Sequence, residues 1–510
     1  MDIGRMRART NACLAFTAMV IGCMPSTPGE SPQSQAGAAA PTLDPFLQRM
    51  FSDLNLVPGV AVAVVRDTSI VYLRGFGVAN VSSGQPVTPR TPFYIASSTK
   101  AFVGTAAAIL DLKGVWDLDD PLSRWIPDAR IPAPLSASTV TLRELLTHTS
   151  RIDNDPITFR TAYSGEHDRS VLTGLLQTSA VRPPGFSYGN IGYVVASLAM
   201  DAAARTDWQD VLRREVFEPL EMRRTSARRS AFDDADLAFP HGPAAGGGTE
   251  VRRYIKTDRN MHAAGGMITT AEDLARWLLA NLNDGRLAGR QPLPAAAVRE
   301  AHRPQATTDA KFYQFTRKGY GLGWYQGEYE GDVLLHDFGN YPGFRAHVSF
   351  MPAHKIGVAV LANESTLGYY MPEVMATYIY DRLLGKPGLE QKYDSAMSFL
   401  WNDAMRVRSS IERDRLQRAA RPTRLQRPAA YYTGTFVSRE TGTMRILQTP
   451  DHALEVRIGT LTSLAEPIDD AGTLLRVELV PGSGVQLKFY SSDGQADSLN
   501  FSGRIFRRID

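Results

Sequence analysis

Cysteine is almost absent: the 510-residue chain holds two, Cys13 and Cys23, both within its first 23 positions. The rest of the chain therefore carries no disulfide and no cysteine-bound metal. Charge of one sign is equally scarce, since 56 Lys and Arg against 53 Asp and Glu leave a formal +3. No single-signed field is available to attract nucleic acid. None of the nine histidines stands in an H-E-x-x-H pattern, so a zinc hydrolase has no support, and no metal or organic cofactor is expected. No run approaches the roughly 20 apolar residues that span a bilayer. The composition is 43% hydrophobic, 21% charged and 9% aromatic, which excludes a disordered, collagen-like or multi-span chain and supplies a sizeable core.

The N-terminus reads as an address. Arg5, Arg7 and Arg9 precede a short apolar stretch, Ala12 to Ile21, interrupted only by Thr17, the pattern of an export signal over residues 1–23. Its close, Val20-Ile21-Gly22-Cys23, is similar to a bacterial lipobox. That resemblance implies lipidation of Cys23 and a lipid-anchored place in the bacterial cell envelope, facing the periplasm or the exterior. A plain secretory signal with an incidental cysteine is the alternative. Residues 24–41 are rich in Pro, Ser, Gly and Ala and read as a flexible tether.

A body over 42–386 opens with a helix near 43–54 and two β-rich runs, 57–65 and 69–75, that read as a hairpin. An Ala-rich, nearly all-round apolar helix follows from 97 to 112. Further helices are predicted at 140–147, 171–178, 193–204, 208–217 and 271–282, the last with Thr270 as N-cap. Strands return at 319–325, 333–335, 345–351 and 356–362, before a closing helix near 368–384. This order predicts an α+β fold: an antiparallel sheet capped by helices, with a helical subdomain inserted. Residues 387–428 are charged and Arg-rich and read as a linker helix, too poor in aromatics for an RNA-binding patch. Short alternating runs over 429–510 predict a small separate barrel or sandwich.

Three places can carry chemistry. Ser97-Ser98-Thr99-Lys100 puts Ser97 and Lys100 one helical turn apart on one face, where a lysine drawn out of water can take a proton from a hydroxyl. Tyr188 and Asn190, two apart on a turn before an apolar helix, offer a phenol as proton shuttle and an amide as hydrogen-bond partner. His336-Asp337-Phe338-Gly339-Asn340 is a loop-to-strand passage in which Gly339 lets the backbone approach a ligand closely. Taken singly, each is an ordinary feature: an N-cap with a snorkelling lysine, a turn with a half-buried tyrosine, a turn before a strand.

Together and in this order they resemble the serine β-lactamase and penicillin-binding-protein family, in its class C-like branch with esterases and D-amino-acid peptidases. The stretches 141–150, 263–267 and 319–324 look like the family as well, and the likeness covers about 45–385. It implies a β-lactamase/transpeptidase-like fold and a lipocalin-like C-terminal domain. It also implies Ser97 as nucleophile, Lys100 and Tyr188 sharing base and acid roles, and Asn190, His336, Asp337, Gly339 and Asn340 as substrate-binding residues. The backbone N–H groups of Ser97 and Asn340 would form the oxyanion hole. The implied substrate is a small acyl ester, a peptide or a β-lactam; the oligomeric state stays open.

Two positions depart from the pattern. Registering Pro342-Gly343-Phe344 on the family's P-G-F puts Asp337 where a His or Lys is usual, with His336 one residue earlier and so on the other face of a regular strand. An acidic group there is expected to repel a carboxylate-bearing substrate. Arg151 stands where the family has glycine, and His148 before it reads as a structural helix-end histidine. A G-x-S-x-G match at 185–189 would make Ser187 a nucleophile, but Pro183-Pro184 cannot end a central strand. The rival from another class is a lipoprotein receptor or sensor that keeps the fold without turnover.

Overall fold

The structure, a computed structural model, describes residues 38–252, 256–421, 424–492 and 494–510. The export signal, Cys23 and all but the end of the tether lie outside those residues. Helix α1 (Ala40–Leu54) takes in the last two tether positions, with Pro41 in its first turn, where a missing N–H costs nothing.

Strand β1 (Gly59–Arg66) is buried over its first seven residues. It has no polar face because both faces are covered: Val60, Val62 and Val64 enter one core, Ala61, Ala63 and Val65 the other. It forms the expected hairpin with β2 (Ser69–Asn80). The other long strands are β3 (Ala306–Phe312), β4 (Phe315–Tyr320), β5 (Tyr325–Tyr329), β6 (Asp332–Tyr341), β7 (Phe344–Met351) and β8 (Ile356–Ala362). Their order is β3-β4-β5-β6-β7-β8-β1-β2, with the short Gln85–Pro86 strand at the edge. One face packs on α1 and a helix over Met371–Leu383. The other carries a helix over Ala271–Leu282, capped by Thr270 as expected, and the helical insertion. That insertion contains α2 (Thr99–Leu112) and α3 (Ile191–Ala204). This is the expected α+β arrangement.

Several segments differ from expectation, among them the edge strand Ala306–Phe312, which the sequence did not predict. Residues 319–325 are not one strand but the end of β4, a turn and the start of β5: the Gly321 N–H donates to Trp324 O at 2.8 Å, and Gly323 has φ +91°, open to glycine. The passage 336–341 is strand rather than loop, because β6 runs on to Tyr341 and the turn is Pro342-Gly343. The linker is a 31-residue helix, Leu389–Ala419, whose first half is packed down. Tyr393, Leu400 and Ala404 form a buried stripe that the surrounding charges obscure in the sequence. Tyr393 Oη donates to the buried Asp381 carboxylate at 2.6 Å, and Lys392 pairs with it at 2.7 Å.

The C-terminal unit is a closed eight-stranded barrel from Gly434–Ser438 to Arg504–Arg508, shut by pairing of Phe436 with Arg508 and Val437 with Arg507. Its turns dock on the helical insertion. Arg160 Nε donates to Glu440 O at 2.7 Å, and the Thr460 N–H donates to Ser164 O at 2.8 Å.

Candidate active site

Ser97 lies in a 3-10 turn, Ala96–Ser98, that runs into α2 at Thr99. Ala96 holds φ +47°, a left-handed conformation that costs a non-glycine residue roughly 1–3 kcal/mol and persists only when its surroundings impose it. Here Thr99 Oγ1 donates to Ala96 O at 2.7 Å, and Ser98 Oγ donates to Asp337 O at 3.1 Å. The turn is thereby pinned to its own helix and to β6, with Ser97 half-buried between them.

The three-residue spacing brings Lys100 Nζ to 3.0 Å from Ser97 Oγ. The same nitrogen lies 3.1 Å from Asn190 Oδ1 and 2.7 Å from Ala264 O. Lys100 is fully buried, and burial lowers its pKa to about 7 against the opposing pull of Asp337. The three contacts suit the neutral amine. An amide oxygen and a carbonyl only accept, so they take its two N–H groups, and its lone pair is left to accept from the Ser97 hydroxyl.

Tyr188, from the turn before α3, stands over the serine–lysine pair, its ring centre 4.9 Å from Lys100 Nζ. The ring's outer edge is exposed, the residue being 40% accessible, while the hydroxyl end is enclosed. Burial first, then the Asp337 charge, raise its pKa well above the usual phenol value. It is therefore a proton-bearing phenol near neutral pH.

Strand β6 closes the site. It pairs with β7 from Leu335 to Tyr341 but with β5 only as far as His336. Residues Asp337 to Asn340 thus run past the Ser97 turn beyond the end of the β5 pairing. The approach is close at Gly339, where a Cβ would stand 1.9 Å from Ile95 O. Asn340, next along the edge, is exposed.

His336 requires a correction. The β6–β7 register has no bulge, so side chains alternate strictly, and His336 lies on the face away from Lys100. It is fully buried there, stacked on Phe338 at 4.3 Å, and is not a substrate-binding group.

Asp337 faces the site but is only 1% exposed, and no side chain hydrogen-bonds either carboxyl oxygen. Burial pushes its pKa well above the carboxylate range, outweighing Lys100 and Arg317. The expected repulsion is weakened to the extent that burial keeps this carboxyl protonated. An acid with a raised native pKa favours folding only below the ordinary carboxyl range, near pH 4, and that contribution is lost as the pH rises through the native value. Asp337→Asn is expected to match the parent in chemical denaturation near pH 3 and to be the more stable by a margin that grows from pH 4 upward. Superposable denaturation curves at pH 8 would contradict a raised Asp337 pKa.

Arg151 has φ +64°, which accounts for glycine being usual there. Sequence reasoning did not assign the Ala264 carbonyl or the aromatic wall of Tyr193, Tyr320 and Tyr325 around Tyr188. Ala264 and Tyr320 lie in stretches that look like the family, whereas Tyr193 and Tyr325 lie in none of them.

A serine and a lysine at the head of a helix, a tyrosine from a turn and the β6 edge define a recognisable class. Residues 47–375 match the Beta-lactamase family, and the chain belongs to it. Protein flp of Staphylococcus aureus is 25% identical over 325 residues, 62% of this chain and 62% of its own length. The chain therefore spans less than two thirds of that relative. The structure of the octameric penicillin-binding protein homologue from Pyrococcus abyssi has a TM-score of 0.57 at 21% identity, over 92% of this chain and 99% of that one, a likeness of fold. The D-amino acid amidase from Ochrobactrum anthropi SV3 has a TM-score of 0.53 at 26% identity, over 63% of this chain and 91% of that one.

Proposed function

We propose that this chain is a serine hydrolase working through an acyl-enzyme. The observation that carries the reading is the 3.0 Å approach of Lys100 Nζ to Ser97 Oγ in a setting where the amine's two N–H groups are already engaged. Ser97 Oγ attacks a carbonyl carbon while its proton passes to Lys100. Tyr188 donates its proton to the leaving nitrogen or oxygen and regains one from Lys100, which thereby gives up the proton taken from Ser97 and is again the neutral base. Water then releases the acyl group. The N–H groups of Ser97 and Asn340 hold the oxyanion, and Asn190, its oxygen engaged by Lys100, offers its amide N–H to the substrate.

The substrate we propose is an ester or amide whose acyl part carries no obligatory carboxylate. Likeness to a D-amino acid amidase supports an amide, and a buried acid at position 337 supplies no cation to anchor a β-lactam carboxylate. That same feature favours the second reading, a receptor that binds without turnover. We place the chain at the cell envelope through lipid on Cys23, on the strength of the Val20–Cys23 pattern.

The test is to incubate the protein separately with a fluorophosphonate, p-nitrophenyl acetate and a fluorescent penicillin, then map adducts by mass spectrometry. Label on Ser97 with ester turnover is expected. Stable label without turnover would establish the receptor, and label elsewhere would remove Ser97 from the chemistry.

A further inference from the structure

We infer that His148 is the positioning residue that holds Tyr188 over Ser97, a role that rests on the serine-hydrolase reading above. His148 follows the short helix Leu142–Leu146 and has φ +61°, a conformation that a residue with a Cβ keeps only under constraint. From there it grips the segment carrying Tyr188 on both sides. Its carbonyl accepts from the Ser187 N–H at 2.9 Å, and its Nδ1 accepts from the Gly189 N–H at 3.4 Å. Between those two anchors its ring faces the Tyr188 ring at 4.6 Å.

The remaining surroundings fix the imidazole rather than consult solvent. Tyr320 packs at 4.8 Å, Tyr193 at 5.4 Å and Phe186 at 5.7 Å. Burial, with the Lys100 charge adding to it, holds the His148 pKa well below its ordinary value. The ring therefore stays neutral, and Nδ1 stays an acceptor for Gly189 with the proton on Nε2. Lys100 holds Asn190 at the C-terminal end of the same turn. One segment is thus fixed by His148 around its phenol and by Lys100 at its amide. A phenol hydroxyl displaced by about 1 Å loses its reach to the reacting centre, a displacement that can cost about 10²-fold in rate.

The experiment compares His148→Asn, which tolerates a left-handed backbone and offers an acceptor oxygen near the Nδ1 position, with His148→Gly, which suits the backbone but has neither ring nor acceptor. Each is made in the parent and in a Tyr188→Phe background. In the parent, His148→Gly is expected to lower kcat for p-nitrophenyl acetate at least tenfold with KM little changed, and His148→Asn is expected to retain most of the activity. In the Tyr188→Phe background neither change should lower kcat further, because the group being positioned is gone. Equal losses in both backgrounds, or parent-like kcat for folded His148→Gly, would overturn the role. Should His148→Gly not fold, His148→Phe keeps the ring and removes only the acceptor, and the same background comparison decides. A parent protein whose Ser97 takes no fluorophosphonate fails the hydrolase reading itself; labelled Ser97 with additive His148 effects fails only this one.

Discussion

Lys100→Met is expected to slow turnover by about 10³-fold, roughly 4 kcal/mol of barrier, while leaving a folded protein. The amine lies 3.0 Å from Ser97 Oγ, and methionine of similar length cannot accept the proton. The parent should show an acid limb in kcat/KM centred near pH 7, where Lys100 gains the proton that disables it. The residual activity of Lys100→Met should lack that limb. Stability gives an independent check. A lysine whose native pKa is depressed from 10.5 to about 7 opposes folding below pH 7 by roughly 5 kcal/mol, an effect relieved as the pH rises toward 10.5. Methionine removes that cost but leaves Asn190 Oδ1 and Ala264 O without their donor, at about 1–3 kcal/mol each. The opposing effects nearly cancel, so the melting temperature near pH 7 should move by only a few degrees. A variant that keeps parent-like turnover, or that retains the acid limb, would show that another group takes the proton.

The serine–lysine pair was legible because an i, i+3 spacing on a helix needs no tertiary information. Placing Asp337 rather than His336 on the site face was also legible, once Pro342-Gly343-Phe344 fixed the register and strand alternation did the rest. Two other features were hidden for physical reasons. Tyr320 and Trp324-Tyr325 are strong β formers on either side of Gly321 and Gly323, so a tight turn reads as continuous strand. The helix Leu389–Ala419 buries three residues among many charges, and a stripe that sparse gives little periodic pattern. The sequence marked His148 as a structural helix-end histidine but not what it holds. Its partners Ser187 and Gly189 arrive from a distant turn, and no motif around 148 announces which backbone its ring and carbonyl will hold.

Gly339→Ala is expected to damage the site almost as severely as loss of the base, although every reacting side chain remains. The added Cβ would meet Ile95 O at 1.9 Å. The obstacle is backbone on both sides, so no rotamer change relieves it. Ile95 immediately precedes the Ala96–Ser98 turn, and β6 can give way only by moving off that turn or carrying it along. The first movement separates Ser97 from Asn340 on the same strand edge, and the second carries Ser97 away from Tyr188 and Asn190. Misplacement by about 1 Å predicts roughly a 10²-fold fall in kcat, with overpacking lowering stability by about 1–3 kcal/mol. The control is Gly174→Ala, in a helix of the insertion where an added Cβ meets nothing within 4 Å; it should be silent in activity and slightly stabilising. Steady-state kinetics with p-nitrophenyl acetate and thermal melts of the two variants make the comparison. Full activity in Gly339→Ala would mean that the Ser97 turn does not depend on the β6 edge for its geometry.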